Sequence, residues 1–295
     1  MLTRVLTLSS RSGRRSGARI DEVQPLLASP ECTTHMCARG TLDWDEASRE
    51  TALYVLNYAR AFEPRWLIIE NVIQMRKWSR YEELLEALRQ DYNVIPQVLD
   101  AADFGVPQTR RRLFLLCDRK REPPDLSGYR GDRGLMARDI LDPLGTWPAG
   151  PLRREGRAAD TLARADRAIA EVGEGVPFLI VYYSTDGGGG WQRLDRPIRT
   201  LTTLDRFGLV EWNDEGPTLR MLQVPELKRA MGFDTAYKLH RGSRRDRIKI
   251  LGNGVCPPVM RHIVAALTGV TPNARVTPVT RDTSDLFRTP EAVIA

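Results

Sequence analysis

Trp66-Leu67-Ile68-Ile69-Glu70-Asn71-Val72 is an apolar run that passes at once into a carboxylate and a carboxamide. Residues 66–69 read as a strand, which leaves Glu70 at its carboxyl end. Upstream, residues 45–62 carry the spacing of an amphipathic helix, and residues 23–28 read as an earlier strand. Downstream, Ser79 and Glu82 have the spacing of a capping box that opens a helix over 80–89, with Leu84, Leu85 and Leu88 on one face. Residues 94–99 and 113–117 read as two more strands able to pair as a hairpin across the turn-rich Asp103-Phe104-Gly105-Val106-Pro107. Pro96 moves the first of them toward an edge or a bulge. Strands alternating with helices predict an α/β fold, a parallel sheet flanked by helices.

The pattern changes on both sides of this block. Residues 1–20 hold Ser, Gly and five arginines without usable periodicity and read as a disordered leader. From 120 to 195 Pro, Gly and charge predominate, with a basic helical stretch over 152–169 and the run Gly187 to Gly190, which predicts a separate small lobe. Strands over 198–203 and 218–222 follow, then helices opening at Pro225 and at Pro257-Pro258, where proline suits a first turn. The expected map is therefore a main domain over 21–119 and 196–270, a small lobe over 120–195, and a flexible tail over 271–295.

Composition narrows the function classes. In 295 residues, 42% hydrophobic and 28% charged describes a globular protein. Apolar runs such as 176–183 fall far short of the roughly 20 residues of a membrane span, so no membrane role is expected and a cytoplasmic location is. Lys+Arg at 44 exceeds Asp+Glu at 38 and the pI is near 9.3, which makes a polyanionic partner plausible without deciding it. Four cysteines are too few for a disulfide framework, and Cys32, His35 and Cys37 lack the second ligand pair that zinc needs, so no metal is expected.

The strand over 23–28 runs into Ser29-Pro30-Glu31-Cys32-Thr33, placing Cys32 on a loop at a strand's carboxyl end, where open α/β sheets bind ligands. His35 and Arg39 nearby favour its thiolate, the reactive form. If the two strands are parallel, Cys32 and Glu70 face one crevice. Gln108-Thr109-Arg110-Arg111-Arg112 leads into the next strand, and alternation there sends Arg110 and Arg112 to one face, suited to phosphate and carbonyl contacts.

Taken in order, these signatures resemble the cytosine-carbon-5 DNA methyltransferases. Pro30-Glu31-Cys32 resembles the family's Pro-Cys loop, Glu70-Asn71-Val72 its Glu-Asn-Val signature, and Gln108, Arg110 and Arg112 its Gln-x-Arg-x-Arg. Leu251-Gly252-Asn253-Gly254-Val255 resembles the Gly-Asn-x-Val element, Ala230-Met231-Gly232-Phe233 the Gly-Phe segment, and residues 196–203 the Arg-Pro-x-x-Thr-Leu-Thr stretch.

The resemblance implies a Rossmann-like methyltransferase sheet with a target-recognition lobe, and a transfer of methyl from S-adenosyl-L-methionine to a flipped-out cytosine in double-stranded DNA. Cys32 is then the nucleophile, with Glu70, Arg110 and Arg112 as catalytic contacts to the base, and Gly252 and Asn253 lie near the donor. Family members open with a strand and a Phe-x-Gly-x-Gly loop that cradles the donor. Gly13 and Gly17 do not reproduce that loop, so the amino-terminal donor half is expected to be incomplete. That leaves room for a start further upstream or a separate donor-binding polypeptide, for a catalytically inactive truncated homologue that only binds DNA, or for an RNA cytosine substrate. A cognate restriction enzyme is an implied partner.

Overall fold

A computed structural model describes residues 4–7, 25–30, 51–131, 133–183 and 189–270. It divides into two compact units: Met1–Asp100 with Arg111–Tyr129 and Met260–Pro272, and Ala101–Arg110 with Arg130–Val259 and Asn273–Ala295.

The first unit is built on a five-stranded sheet. Its strands are β1 (Arg4–Thr7), β2 (Leu26–Ser29), β3 (Trp66–Asn71), β4 (Asn93–Asp100) and β5 (Arg111–Asp118), in the spatial order β1-β2-β3-β5-β4. Helix α1 (Tyr54–Phe62) connects β2 to β3, and α2 (Tyr81–Arg89) connects β3 to β4. Only β2 and β3 are parallel, in register from Leu26 opposite Leu67 to Ala28 opposite Ile69. β5 runs antiparallel to both β3 and β4. The sheet is thus mixed where a parallel one was expected, because residues 101–110 turn the chain straight back and a parallel return needs a longer crossover. Pro96 sits in β4, the edge strand, where its missing amide proton disrupts no second ladder.

Residues 1–20 were expected to lack regular structure, yet Arg4–Thr7 forms β1, antiparallel to β2. The helix expected over 80–89 is present, but Arg80 occupies the cap position and no side chain caps the helix. Ser79 lies one position too early because a preceding 3₁₀ turn, Ile73–Lys77, buries Met75, and Trp78 is buried after it. Leu84, Leu85 and Leu88 of α2 pack with Leu67, Ile69 and Leu115 in this unit's core.

In the second unit β6 (Gly150–Pro151), β7 (Phe178–Val181), β8 (Trp191–Arg193), β9 (Phe207–Asn213) and β10 (Gly216–Met221) form an antiparallel sheet in the order β6-β10-β9-β7-β8. Helix α3 (Ala159–Val172) turns Ala165 and Ala168 onto Phe178, Val210 and Leu219. The lobe therefore does not close at 195: β9 and β10, which fall within the range expected for the main domain, supply the middle of its sheet. Residues 198–203 are not a strand, and only Ile198 makes a bridge, parallel to Gln108.

Helices α4 (Val224–Ala230) and α6 (Pro257–Thr268) begin where proline indicated. An unexpected helix, α5 (Arg244–Gly252), opens on a Ser243–Asp246 capping box. Among the described residues Arg244–Thr268 is long and apolar enough by composition to cross a membrane. It is interrupted between α5 and α6, and Arg244, Arg245, Arg247 and Lys249 crowd its first half.

Candidate active site

Parallel register between β2 and β3 brings two strand ends together. Ala28 lies opposite Ile69, so Ser29 and Pro30 leave the sheet beside Glu70 and Asn71. Both latter residues are buried, at 6% and 2% exposure. The Ser29 hydroxyl donates to Glu70 Oε2 at 2.6 Å, and Asn71 Nδ2 donates to the Pro30 carbonyl at 3.4 Å. Asn71 Oδ1 accepts the Val72 amide at 2.8 Å. A buried carboxylate needs such partners, because charge taken out of water without them is costly.

Arg112 provides the second partner. Glu70 pairs with Phe114 on β5; directly opposed residues share a face, and Arg112, two positions away, stands diagonal to Glu70 on that face. Arg112 Nε approaches Glu70 Oε1 at 3.3 Å, while Nη1 donates to the Arg111 carbonyl at 2.9 Å. Cys32, with His35 and Arg39, lies outside the described residues.

The Gln-x-Arg-x-Arg run splits in its roles. Gln108 is fully buried: Nε2 donates to the Ala230 carbonyl at 2.9 Å and Oε1 accepts the Leu201 amide at 2.9 Å. Arg110, 3% exposed, donates to the carbonyls of Leu201 at 3.0 Å, Gly252 at 2.8 Å and Gly254 at 3.0 Å. Arg110 was expected to share a strand face with Arg112 and to touch the base. It precedes β5, strand alternation does not govern it, and its guanidinium instead clamps two backbone segments of the second unit.

Gly252 has a similar structural duty. A Cβ built there meets Thr202 O at 2.2 Å and Thr203 N at 2.7 Å, so only glycine admits the 200–203 stretch. Asn253, at the end of α5, is exposed. Of the pair assigned to the donor, one is filled by backbone and one presents a side chain to solvent.

Cys117 and Cys256 are buried, and burial pushes the Cys117 thiol well above its ordinary range. No cluster of metal-ligating side chains occurs among the described residues. Residue patterns alone missed the parts played by Ser29 and Asn71, although both stand at the ends of strands that the sequence indicated. They also missed Arg220, which is buried and joined through both terminal nitrogens to Glu226 at 2.8 Å.

A family model described as C-5 cytosine-specific DNA methylase matches residues 11–139 and 173–269. The chain belongs to that family. The chain is 24% identical over 243 residues to type II methyltransferase M.HhaI of Haemophilus parahaemolyticus, covering 77% of this chain and 67% of that protein. It is 31% identical over 111 residues to M.AquIA of Picosynechococcus, covering 33% of this chain and only 44% of the relative. The structure of S. pombe Dnmt2 shares the fold, with a TM-score of 0.56 at 17% identity over 83% of this chain and 77% of that one. A putative DNA modification methyltransferase from a prophage in E. coli aligns at a TM-score of 0.54, also with 17% identity.

Among the described residues, β1 does not supply the strand that a donor cradle would follow. A loop that binds at the carboxyl edge must follow a strand parallel to β2. β1 runs the other way, with Arg4 opposite Ser29 and Thr7 opposite Leu26, so the chain leaves β1 at the amino end of β2.

Proposed function

We propose that this chain activates a cytosine of double-stranded DNA for methylation at carbon 5, with Cys32 as nucleophile and Glu70 and Arg112 as contacts to the base. The observation that carries the reading is the buried Glu70 carboxylate, fixed beside Arg112 where the segment leading to Cys32 leaves the sheet. Cys32 follows Pro30 by two positions in the sequence.

Carbon 5 of cytosine is a weak nucleophile until a group adds at carbon 6. The Cys32 thiolate forms a bond to carbon 6, and the carbon 5–carbon 6 π pair moves into the ring as an enamine. Glu70 faces the exocyclic amino group and ring nitrogen 3. Arg112 faces the exocyclic oxygen. Both stabilise charge as it develops. Carbon 5 takes an electrophile and then gives up its original hydrogen as a proton; the carbon–hydrogen pair restores the double bond and expels the thiolate. Arg110 belongs to the scaffold in this reading. S-adenosyl-L-methionine is the methyl donor that the family implies.

Extrusion of the base from the stack costs about a few kcal/mol. Exposed arginines such as Arg153 and Arg154 in the second unit suit phosphate contacts that offset it. The naming of relatives as type II methyltransferases supports a cognate restriction enzyme as a partner class, and the donor mismatch supports a separate donor-binding polypeptide.

The donor-free half of the cycle gives the test. Addition of Cys32, protonation at carbon 5 and elimination exchange the carbon 5 hydrogen with water, so duplex DNA carrying tritium at cytosine carbon 5 releases it. Release that disappears in Cys32→Ala is the expected result; equal release by the variant removes Cys32 from its role. A second reading, a homologue that binds DNA without chemistry, draws on the same donor mismatch. Duplex binding with no release by the wild type decides for it.

A further inference from the structure

We infer that Ser29 is a positioning residue for this reaction, locking the plane of the Glu70 carboxylate against the base; the inference rests on the function proposed above. A glutamate carboxylate turns about a terminal torsion that is broad and roughly two-fold. One anchor leaves that swing open. Here each oxygen has its own anchor on a different strand: Oε2 accepts from the Ser29 hydroxyl at 2.6 Å, and Oε1 faces Arg112 Nε at 3.3 Å.

The two anchors differ in what they can do. Arg112 contributes a charge at a distance longer than a good hydrogen bond, so it attracts the carboxylate without fixing its tilt. Ser29 makes a short hydroxyl-to-carboxylate contact, the charge-assisted kind with the strongest directional preference. Each oxygen keeps a second lone-pair direction, and with the plane locked those directions are constant relative to β3. Glu70 is thereby set before the base arrives, and no reorganisation is needed as charge develops.

Strand register explains why the group at this position can act. β2 and β3 are parallel, and Ser29 is the last residue of β2, one step beyond the Ala28–Ile69 pair. It therefore stands level with Glu70. Pro30 next to it is tied to Asn71, so the start of the segment that leads to Cys32 and the carboxylate are referred to one frame. Ser29 controls the orientation of Glu70, and Asn71 controls the exit of the chain.

The test compares the wild type, Ser29→Ala and Ser29→Thr in the tritium-release assay. Ser29→Ala is expected to lower the maximal release rate ~10- to 100-fold, the effect of one charge-assisted hydrogen bond, with the KM for DNA within about twofold of wild type. Ser29→Thr keeps the hydroxyl and is expected to restore the rate to within about threefold. A purely structural role moves KM, or the thermal midpoint, without this rescue. An unchanged maximal rate in Ser29→Ala, or a threonine variant no better than alanine, overturns the inference while leaving Cys32 in place. If the wild type releases no tritium, crystal structures of wild type and Ser29→Ala decide: a turned Glu70 carboxylate in the variant supports the lock, and an unmoved one overturns it.

Discussion

Replacing Gly252 by alanine separates a scaffold role from a donor-contact role. The added methyl meets Thr202 O at 2.2 Å and the Thr202 carbonyl carbon at 2.4 Å. Both are backbone atoms, so no side-chain rotation relieves the overlap, and the 200–203 stretch must retreat from α5 by about 1 Å to reach an ordinary contact. That movement pulls apart the Arg110 clamp, which holds Leu201 O at 3.0 Å and Gly252 O at 2.8 Å. Loss of about one charge-assisted hydrogen bond at ~1.5–3 kcal/mol and strain of ~1–3 kcal/mol together predict a destabilisation of about 3–5 kcal/mol. For a protein of this size that corresponds to a fall in Tm of roughly 5–8 °C. Urea unfolding and calorimetry measure both values, with Asn253→Ala as control, since an exposed neighbour should change stability by under about 0.5 kcal/mol. A Gly252→Ala protein within about 1 kcal/mol of wild type refutes the packing role and returns Gly252 to the donor.

Two further outcomes follow from burial and hydrogen bonding. Burial works to raise the Asp118 carboxyl, but the Lys120 amide, the Trp66 indole at 2.8 Å and Arg65 outweigh it and hold the group below the ordinary carboxylate value. Its stabilisation is therefore fully present above the unfolded carboxylate value near ~4 and is lost as pH falls through the depressed folded value. Urea midpoints from pH 7 down to 3 should drop less steeply in Asp118→Asn than in wild type, and equal slopes would exclude Asp118 as a source of the acid limb. Burial also keeps the Cys117 thiol protonated, and Cys256 is buried as well. Native alkylation mapped by mass spectrometry should leave both unmodified until the protein unfolds, and modification of either in the folded state would contradict the packing around it.

How far the chain could be read before folding differs by segment. The apolar 66–69 run and its terminal Glu70 are a local pattern, so β3 and its acid end follow from residue order. α2 and the hairpin of β4 with β5 follow in the same way, and Pro96 at the sheet edge does too. The path of 198–203 was misread because its polar backbone groups are satisfied by Gln108 and Thr109, residues some ninety positions away. β9 was missed although Phe207-Gly208-Leu209-Val210 is apolar and Asp214-Glu215 turns it directly into β10; its other partner, β7, lies across β8 and the glycine run.

By itself the sequence determined the family signatures, the α/β character, and the residue types at the candidate site, because those depend on spacing along one chain. Tertiary structure alone decided which arginine meets the acid. Arg110 and Arg112 are two positions apart and chemically identical, yet three backbone carbonyls engage one and Glu70 engages the other. It also decided that Ser29 reaches Glu70 across 41 positions. Strand register sets both outcomes, and register is a property of two strands together, which neither strand carries alone.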